Sequence, residues 1–218
     1  MSAQVVTAKP LNGQLLGLDG FSPGSQIALA VSGGGDSIAM LHAVAEWAKA
    51  KTVSVTVLTV DHRLRPESAH ETAFVGRVCQ SLTLPHEVLV WDTPNPSQQA
   101  ARVGRHELLA NAARAKGATH LLLGHTLDDV IETQAMRAAR GANPIKHVGP
   151  MPVSVSPVWP DGRGLLILRP LLLMRRQDLR DWLTARAQTW IDDPSNQNPA
   201  FERSRIRDNL KTKATATP

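Results

Sequence analysis

The chain has 218 residues, 42% apolar and 4% aromatic, which suits one α/β domain with an aliphatic core and makes disorder an unlikely default. A formal net charge of +5 favours a polyanionic partner, and the single cysteine, Cys79, excludes an all-cysteine zinc or iron–sulfur site. No apolar run is long enough to span a bilayer and the N-terminus lacks a basic-then-apolar signal, so a cytoplasmic protein without membrane attachment is expected.

Residues 1–26 read as a polar lead with a short helix around Leu15. The apolar run that opens at Ile27 ends abruptly in Ser32-Gly33-Gly34-Gly35-Asp36-Ser37, and apolar residues resume at Ile38, Leu41, Val44, Ala45 and Ala48. That pattern predicts a strand, a tight turn and a helix to Lys51. Three glycines let successive N–H groups face one concavity, and Asp36 or Ser37 can cap a helix whose positive end favours an anion. Phosphate is the natural occupant, with a plain glycine-rich connector as the alternative. The turn lacks the lysine of a Walker A loop, and Ile38 stands where the last glycine of G-x-G-x-x-G would fall.

Val53–Val60 alternates as a second strand and ends in Asp61-His62. A basic loop, 62–68, leads into a helix to about Leu82 and a third strand over His86–Trp91. A helix over Gln98–Lys116 precedes a buried fourth strand, Thr119–Gly124, and then a helix bearing Asp128, Asp129, Glu132, Arg137 and Arg140. Residues 141–164 read as an irregular loop, Leu165–Leu168 as a fifth strand and Arg175–Ala187 as a charged amphipathic helix. Turn chemistry follows at Asp193-Pro194-Ser195-Asn196, then Arg203, Arg205 and Arg207, with 211–218 as a disordered tail. This alternation predicts right-handed βαβ units in a Rossmann-like parallel sheet with helices on both faces, spanning 27–210.

In open parallel sheets, ligands collect beyond the carboxyl ends of the strands. Ser32–Ser37, Asp61-His62 and Gly124-His125-Thr126 all fall at such ends and should share one crevice. On the helix after the fourth strand, Asp128, Asp129 and Glu132 are spaced so that at least two carboxylates share a face. They suit Mg²⁺ or an ammonium group; a solvated face, with Asp129 capping the helix, is the alternative. His125 reads equally as a structural or a catalytic histidine. Arg102, Arg105, Arg137, Arg203, Arg205 and Arg207 are among the cations near loops or helix starts that phosphate contacts require.

Several motifs together carry a resemblance. S-G-G-G-D-S at 32–37 matches the phosphate loop of the ATP pyrophosphatases, and V-D-H-R-L-R-P-E-S at 60–68, G-H-T-L-D-D-V-I-E-T at 124–133, M-R-A-A-R-G at 136–141 and R-P-L-L at 169–172 follow it. With D-P-S-N through F-E-R-S-R-I-R at 193–207, the set resembles the bacterial tRNA(Ile)-lysidine synthase family over residues 27 to about 210. The resemblance implies an adenine nucleotide alpha hydrolase-like (PP-loop) fold. It also implies ATP and Mg²⁺ as cofactors, and tRNA(Ile) with a CAU anticodon and free L-lysine as partners. The implied reaction adenylates the wobble cytidine and then lets the lysine ε-amine displace AMP.

By resemblance, Ser32, Gly33, Gly34, Gly35, Asp36, Ser37, Asp61 and His62 bind ATP, with Asp36 also holding Mg²⁺. Asp128, Asp129 and Glu132 receive lysine or its proton, His125 serves as second choice for that role or steadies the adenylate, and the six arginines above contact tRNA or phosphate. The chain departs from the family pattern at Thr126, Val130, His106 and the loop 140–151, and typical members continue into further domains. A compact form, a fragment or a relative with a changed substrate is therefore expected. Another ATP pyrophosphatase and a non-catalytic nucleotide- or tRNA-binding relative are the competing expectations.

Overall fold

In a computed structural model of the chain, which describes residues 11, 17–61, 63, 68–91, 98–141, 150–192 and 202–215, β1 (Gln26–Ala30) lies centrally between β2 (Ser54–Asp61) and β4 (His120–Leu123). Both pairings are parallel, with Leu29 opposite Val57 on one side and Leu122 on the other. β3 (His86–Val90) extends the sheet beyond β2, while β6 (Leu166–Leu168) and β5 (Val153–Val155) extend it beyond β4, giving the order β3-β2-β1-β4-β6-β5. The chain therefore winds outward from β1 to β3 and then crosses back to β4 on the other side. The order reverses between β1 and β4, which opens a crevice at their carboxyl ends.

Among the described residues six helices accompany the strands: α1 (Gly35–Lys51), α2 (Ser68–Ser81), α3 (Gln98–Ala115), α4 (Leu127–Ala139), α5 (Arg176–Thr184) and α6 (Glu202–Thr215). Strand residues alternate between two cores, as the two-residue period of a pleated strand requires. Ile27, Leu29, Val55, Val57 and Leu122 meet α1, α2 and α5 through Ile38, Leu41, Val75, Leu179 and Trp182. On the other face Ala28, Leu58, Leu121, Leu123 and Ile167 meet Leu109 and Ala113 of α3. Each large side chain fully buried there contributes about 1.5–3 kcal/mol. This is the α/β, Rossmann-like arrangement of a mostly parallel sheet covered on both faces.

Three expectations are corrected. The 141–164 stretch contains β5, which pairs antiparallel with β6 through Ser154 opposite Ile167, so the sheet is mixed at that edge. The arginine-rich tail is helical, and α6 runs to Thr215, into the stretch expected to be disordered from 211. Gly34 is the N-cap of α1 and no side chain caps it; Asp36 and Ser37 lie inside the first turn. The short helix around Leu15, His62 and the turn at 193–196 lie outside the described residues. No helix among the described residues is long and apolar enough to cross a membrane.

Candidate functional site

The glycine turn reverses the chain between β1 and α1. Gly33 has φ +92°, a conformation that L side chains rarely adopt, and a Cβ there would lie 2.9 Å from the Ile191 side chain. The turn is held from within and from outside. The Ser37 hydroxyl donates to the Gly34 carbonyl at 2.8 Å and accepts the Ser32 N–H at 3.3 Å, while the Ile191 N–H donates to the Gly33 carbonyl at 2.9 Å. A Cβ added on Gly35 would meet the Trp190 ring at 3.4 Å, so that ring lies over the turn. With no side-chain cap on α1, its first N–H groups and positive dipole end suit an anion.

The carboxyl end of β4 closes on this turn. A Cβ on Gly124 would meet Ser37 Cα at 3.2 Å and Ser37 N at 3.3 Å, so only glycine lets the two backbones approach this closely. Two residues on, Thr126 is the N-cap of α4: its N–H and hydroxyl donate to Asp129 Oδ2 at 2.9 and 3.1 Å. Thr126 thus fixes Asp129 at the head of α4. The other Asp129 oxygen faces the cations of the crevice.

Those cations converge on one hub that the sequence did not single out. Arg176, the first residue of α5, donates through Nε to Asp36 Oδ2 at 2.9 Å and through Nη1 to Glu132 Oε1 at 3.0 Å. Its Nη2 lies 3.6 Å from Asp129 Oδ1, and its backbone N–H donates to Asp128 Oδ2 at 2.7 Å. Asp128 therefore acts as the cap of α5 and also pairs with Arg175 at 3.3 Å. Glu132, 2% exposed, is held further by Arg207 through Nε at 2.8 Å and Nη2 at 3.1 Å, and faces Arg203 at 3.5 Å. The only sequence cue to Arg176 is the Arg175-Arg176 pair opening a helix, which looks like any charged helix start.

Electrostatics follow from this packing. Burial raises the Asp36 carboxyl above its ordinary pKa even though Arg176 pulls it down. Burial pushes Asp129 up as well, but the Thr126 backbone N–H and the Arg176 and Arg203 charges help to outweigh it and hold the carboxylate ionised. Burial depresses His125, against the pull of Asp129 and with the help of Arg169. Arg169 Nε donates to His125 Nδ1 at 3.3 Å, and because a guanidinium can only donate, Nδ1 is unprotonated and Nε2 carries the hydrogen. Beside it lies a second, purely basic group. Arg105 has a buried Nε and His106 a buried Nδ1 with no hydrogen-bond partner among the described residues, and burial together with Arg102 lowers both pKa values, His106 to about 4.

The structure thus brings Asp36, His125, Asp128, Asp129, Glu132, Arg203 and Arg207 to one crevice beside Ser32–Ser37, with Arg102 and Arg105 near His125. Arg203 and Arg207, expected to face tRNA, turn inward onto acids. Asp61 ends β2 and its Oδ1 accepts the Arg63 N–H at 2.9 Å, so it is engaged by its own loop. Arg137 lies in the last turn of α4 and Arg205 is exposed on α6. The described residues hold no group of three or more His, Cys, Asp or Glu arranged for a metal ion.

A PP-loop domain family model matches residues 7–214. Curated proteins named tRNA(Ile)-lysidine synthase match at 47% identity over 181 residues in Hyphomonas neptunium and at 43% over 190 residues in Caulobacter vibrioides. These alignments cover 83% and 85% of this chain but 49% and 46% of the relatives, so the chain spans about half the length of the proteins it matches. Among solved structures, a U34-tRNA thiolase NcsA from Methanococcus maripaludis, described with its [4Fe-4S] cluster, superposes with a TM-score of 0.74 at 18% identity, covering 94% of this chain and 71% of that one. At that identity the likeness speaks for the fold alone.

Proposed function

The chain belongs to the PP-loop family, and from that premise we propose that it uses ATP to adenylate the wobble cytidine of tRNA(Ile) with a CAU anticodon and joins lysine to it, releasing pyrophosphate and AMP. The observation that carries this proposal is the meeting, at the β1/β4 crevice, of an uncapped glycine turn with a carboxylate–arginine cluster. The Gly33–Gly35 backbone suits the ATP phosphates, and the buried guanidinium of Arg105, whose Nε has no hydrogen-bond partner among the described residues, suits charge that develops on the leaving pyrophosphate. Mg²⁺ usually takes one or two carboxylates plus phosphate oxygens, a requirement that Asp36 fits as a single ligand. Bound there, it would neutralise phosphate charge.

In the first step the cytidine 2-oxygen attacks the α-phosphorus and the bond to pyrophosphate breaks. In the second, the lysine ε-amine attacks C2, the bond to AMP breaks, and one amine proton leaves. An ammonium cannot attack, so a carboxylate must accept a proton. His125 is a poor base in the tautomer that Arg169 imposes; its Nε2–H instead suits donation to the adenylate oxygens. Asp129 and Glu132 are left as the acceptors, and as the seat of the ammonium.

The test uses the purified chain with radiolabelled lysine, ATP, Mg²⁺ and an unmodified CAU-anticodon isoleucine tRNA. Lysine should enter the tRNA and cease to do so in Asp36→Ala. ATP binding without pyrophosphate release on any tRNA would overturn the proposal. One observation favours a second reading: the four site carboxylates already face four guanidinium groups, from Arg175, Arg176, Arg203 and Arg207. That balance suits a PP-loop relative with a different acceptor, or one that binds nucleotide and tRNA without catalysis. Pyrophosphate release without lysine incorporation would select the former.

A further inference from the structure

Helix α6 is attached to the molecule by charge. Among the described residues neither apolar core includes a residue of α6, and ion pairs tie it to α4. Glu202 pairs with Arg140, Arg203 reaches Asp129, Glu132 and Thr133, and Arg207 clamps both oxygens of Glu132. Arg203 and Arg207 are four residues apart and so share one face of the helix. Glu132, nearly inaccessible, receives three guanidinium groups, two of them from α6, so the balance of four carboxylates with four guanidinium groups depends on that helix.

We propose that Arg203 and Arg207 are a displaceable latch over the amine site, and that tRNA phosphates are what displaces it. The proposal rests on the lysine-to-tRNA reading above. A lysine ammonium cannot reach Glu132 and Asp129 while the α6 arginines hold them. A phosphate backbone competes for those guanidinium groups with multiple charges and bidentate geometry. Its binding draws Arg203 and Arg207 outward and leaves the carboxylates short of cations, with Arg176 as their remaining partner. The amine site opens only when the acceptor nucleic acid is present. By linkage, lysine on Glu132 frees the same arginines and tightens tRNA by the same factor.

The test measures lysine affinity by equilibrium dialysis on the full chain, with and without saturating unmodified tRNA(Ile) transcript. In the wild type, tRNA should tighten lysine about tenfold or more. The pair Arg203→Gln with Arg207→Gln should bind lysine without tRNA as tightly as the wild type does with it, and lose the increment, while Arg207→Gln alone, which leaves Arg203 on the acids, should gain part of that tightening. Circular dichroism melts screen these variants for folding. Arg207→Lys, which keeps the charge and loses the fork, should fall between. An independent readout, amide hydrogen exchange in α6 of the wild type, should speed up when tRNA is added. Equal lysine affinity with and without tRNA in the wild type, or unchanged exchange in α6, overturns the latch. If lysine is incorporated but the coupling is absent, only the latch falls; if no form binds or incorporates lysine, the lysine reading falls and takes the latch with it.

Discussion

Arg176 shows how one side chain decides the character of the site. Its guanidinium is 20% exposed and bridges Asp36 from the glycine turn to Asp129 and Glu132 on α4, three carboxylates that would repel one another without it. Removing a partner from a buried ion pair leaves charge without compensation and costs about 3–5 kcal/mol. Arg176→Leu should lose stability of that order in urea unfolding at neutral pH, whereas Arg180→Leu, whose partner Asp192 is 66% exposed, should change it by less than about 1 kcal/mol. Equal effects would show that the hub carries no special load.

His106 makes a pH prediction whose sign follows from its burial. Its pKa is depressed from 6.5 to about 4, so between those values the unfolded chain binds the proton and the folded chain does not. Stability is therefore fully present above about pH 6.5 and is lost as pH falls toward 4, by about 3 kcal/mol in all for a shift of this size. Denaturation midpoints of His106→Phe should show a shallower decline across that window than the wild type. A parallel decline would remove His106 as the cause.

At the level of elements, the glycine turn works because two backbones touch. Gly124→Ala places a Cβ at 3.2 Å from Ser37 Cα, and since backbone cannot swing aside as a side chain can, β4 must retreat from α1. A loss of about 1–3 kcal/mol is expected, with weaker ATP binding by calorimetry. Gly20→Ala, with nothing within 4 Å of the added atom, should stay within about 0.5 kcal/mol and leave ATP binding alone.

What could be read from the sequence divides along the same lines. β1 to β4 and α1 to α4 follow from apolar periodicity because their faces are buried against one another, and the period of burial is the period of the code. β5 escaped because it is only three residues long at the sheet edge and its apolar residues, Val153 and Val155, are the exposed ones, so its alternation does not mark a buried face. α6 escaped because its inward face is written in arginine: Arg203 and Arg207 pack on acids, so no apolar stripe announces the helix. Asp36, Asp129 and Glu132 were legible as candidates from their spacing to a strand end and a helix start. Arg176 was not, since its partners lie more than 40 residues away in sequence, and only the fold brings them together.

For the whole molecule, the sheet and the charge do different jobs. The fold is shared with a solved structure at 18% identity, and a fold alone does not fix function, so the chemistry of the β1/β4 crevice rests with the side chains around it. Cys79 is buried and is the single cysteine, so this chain cannot supply the thiolates of an iron–sulfur cluster. Its net charge of +5 instead points to phosphate contacts, and those have a measurable signature. The logarithm of affinity for a tRNA(Ile) transcript should fall linearly with the logarithm of salt concentration, by about 0.7–0.9 for each phosphate neutralised. Arg102→Ala and Arg105→Ala should each make that slope shallower by about 1, because Arg102 lies close enough to the buried Arg105 to disfavour its charge, and a phosphate would relieve that repulsion. Arg114→Ala should leave it unchanged, since that guanidinium donates to the Pro160 and Asp161 carbonyls at 3.5 and 3.1 Å. If all three variants keep the wild-type slope, nucleic acid meets this molecule somewhere other than the crevice at β1 and β4.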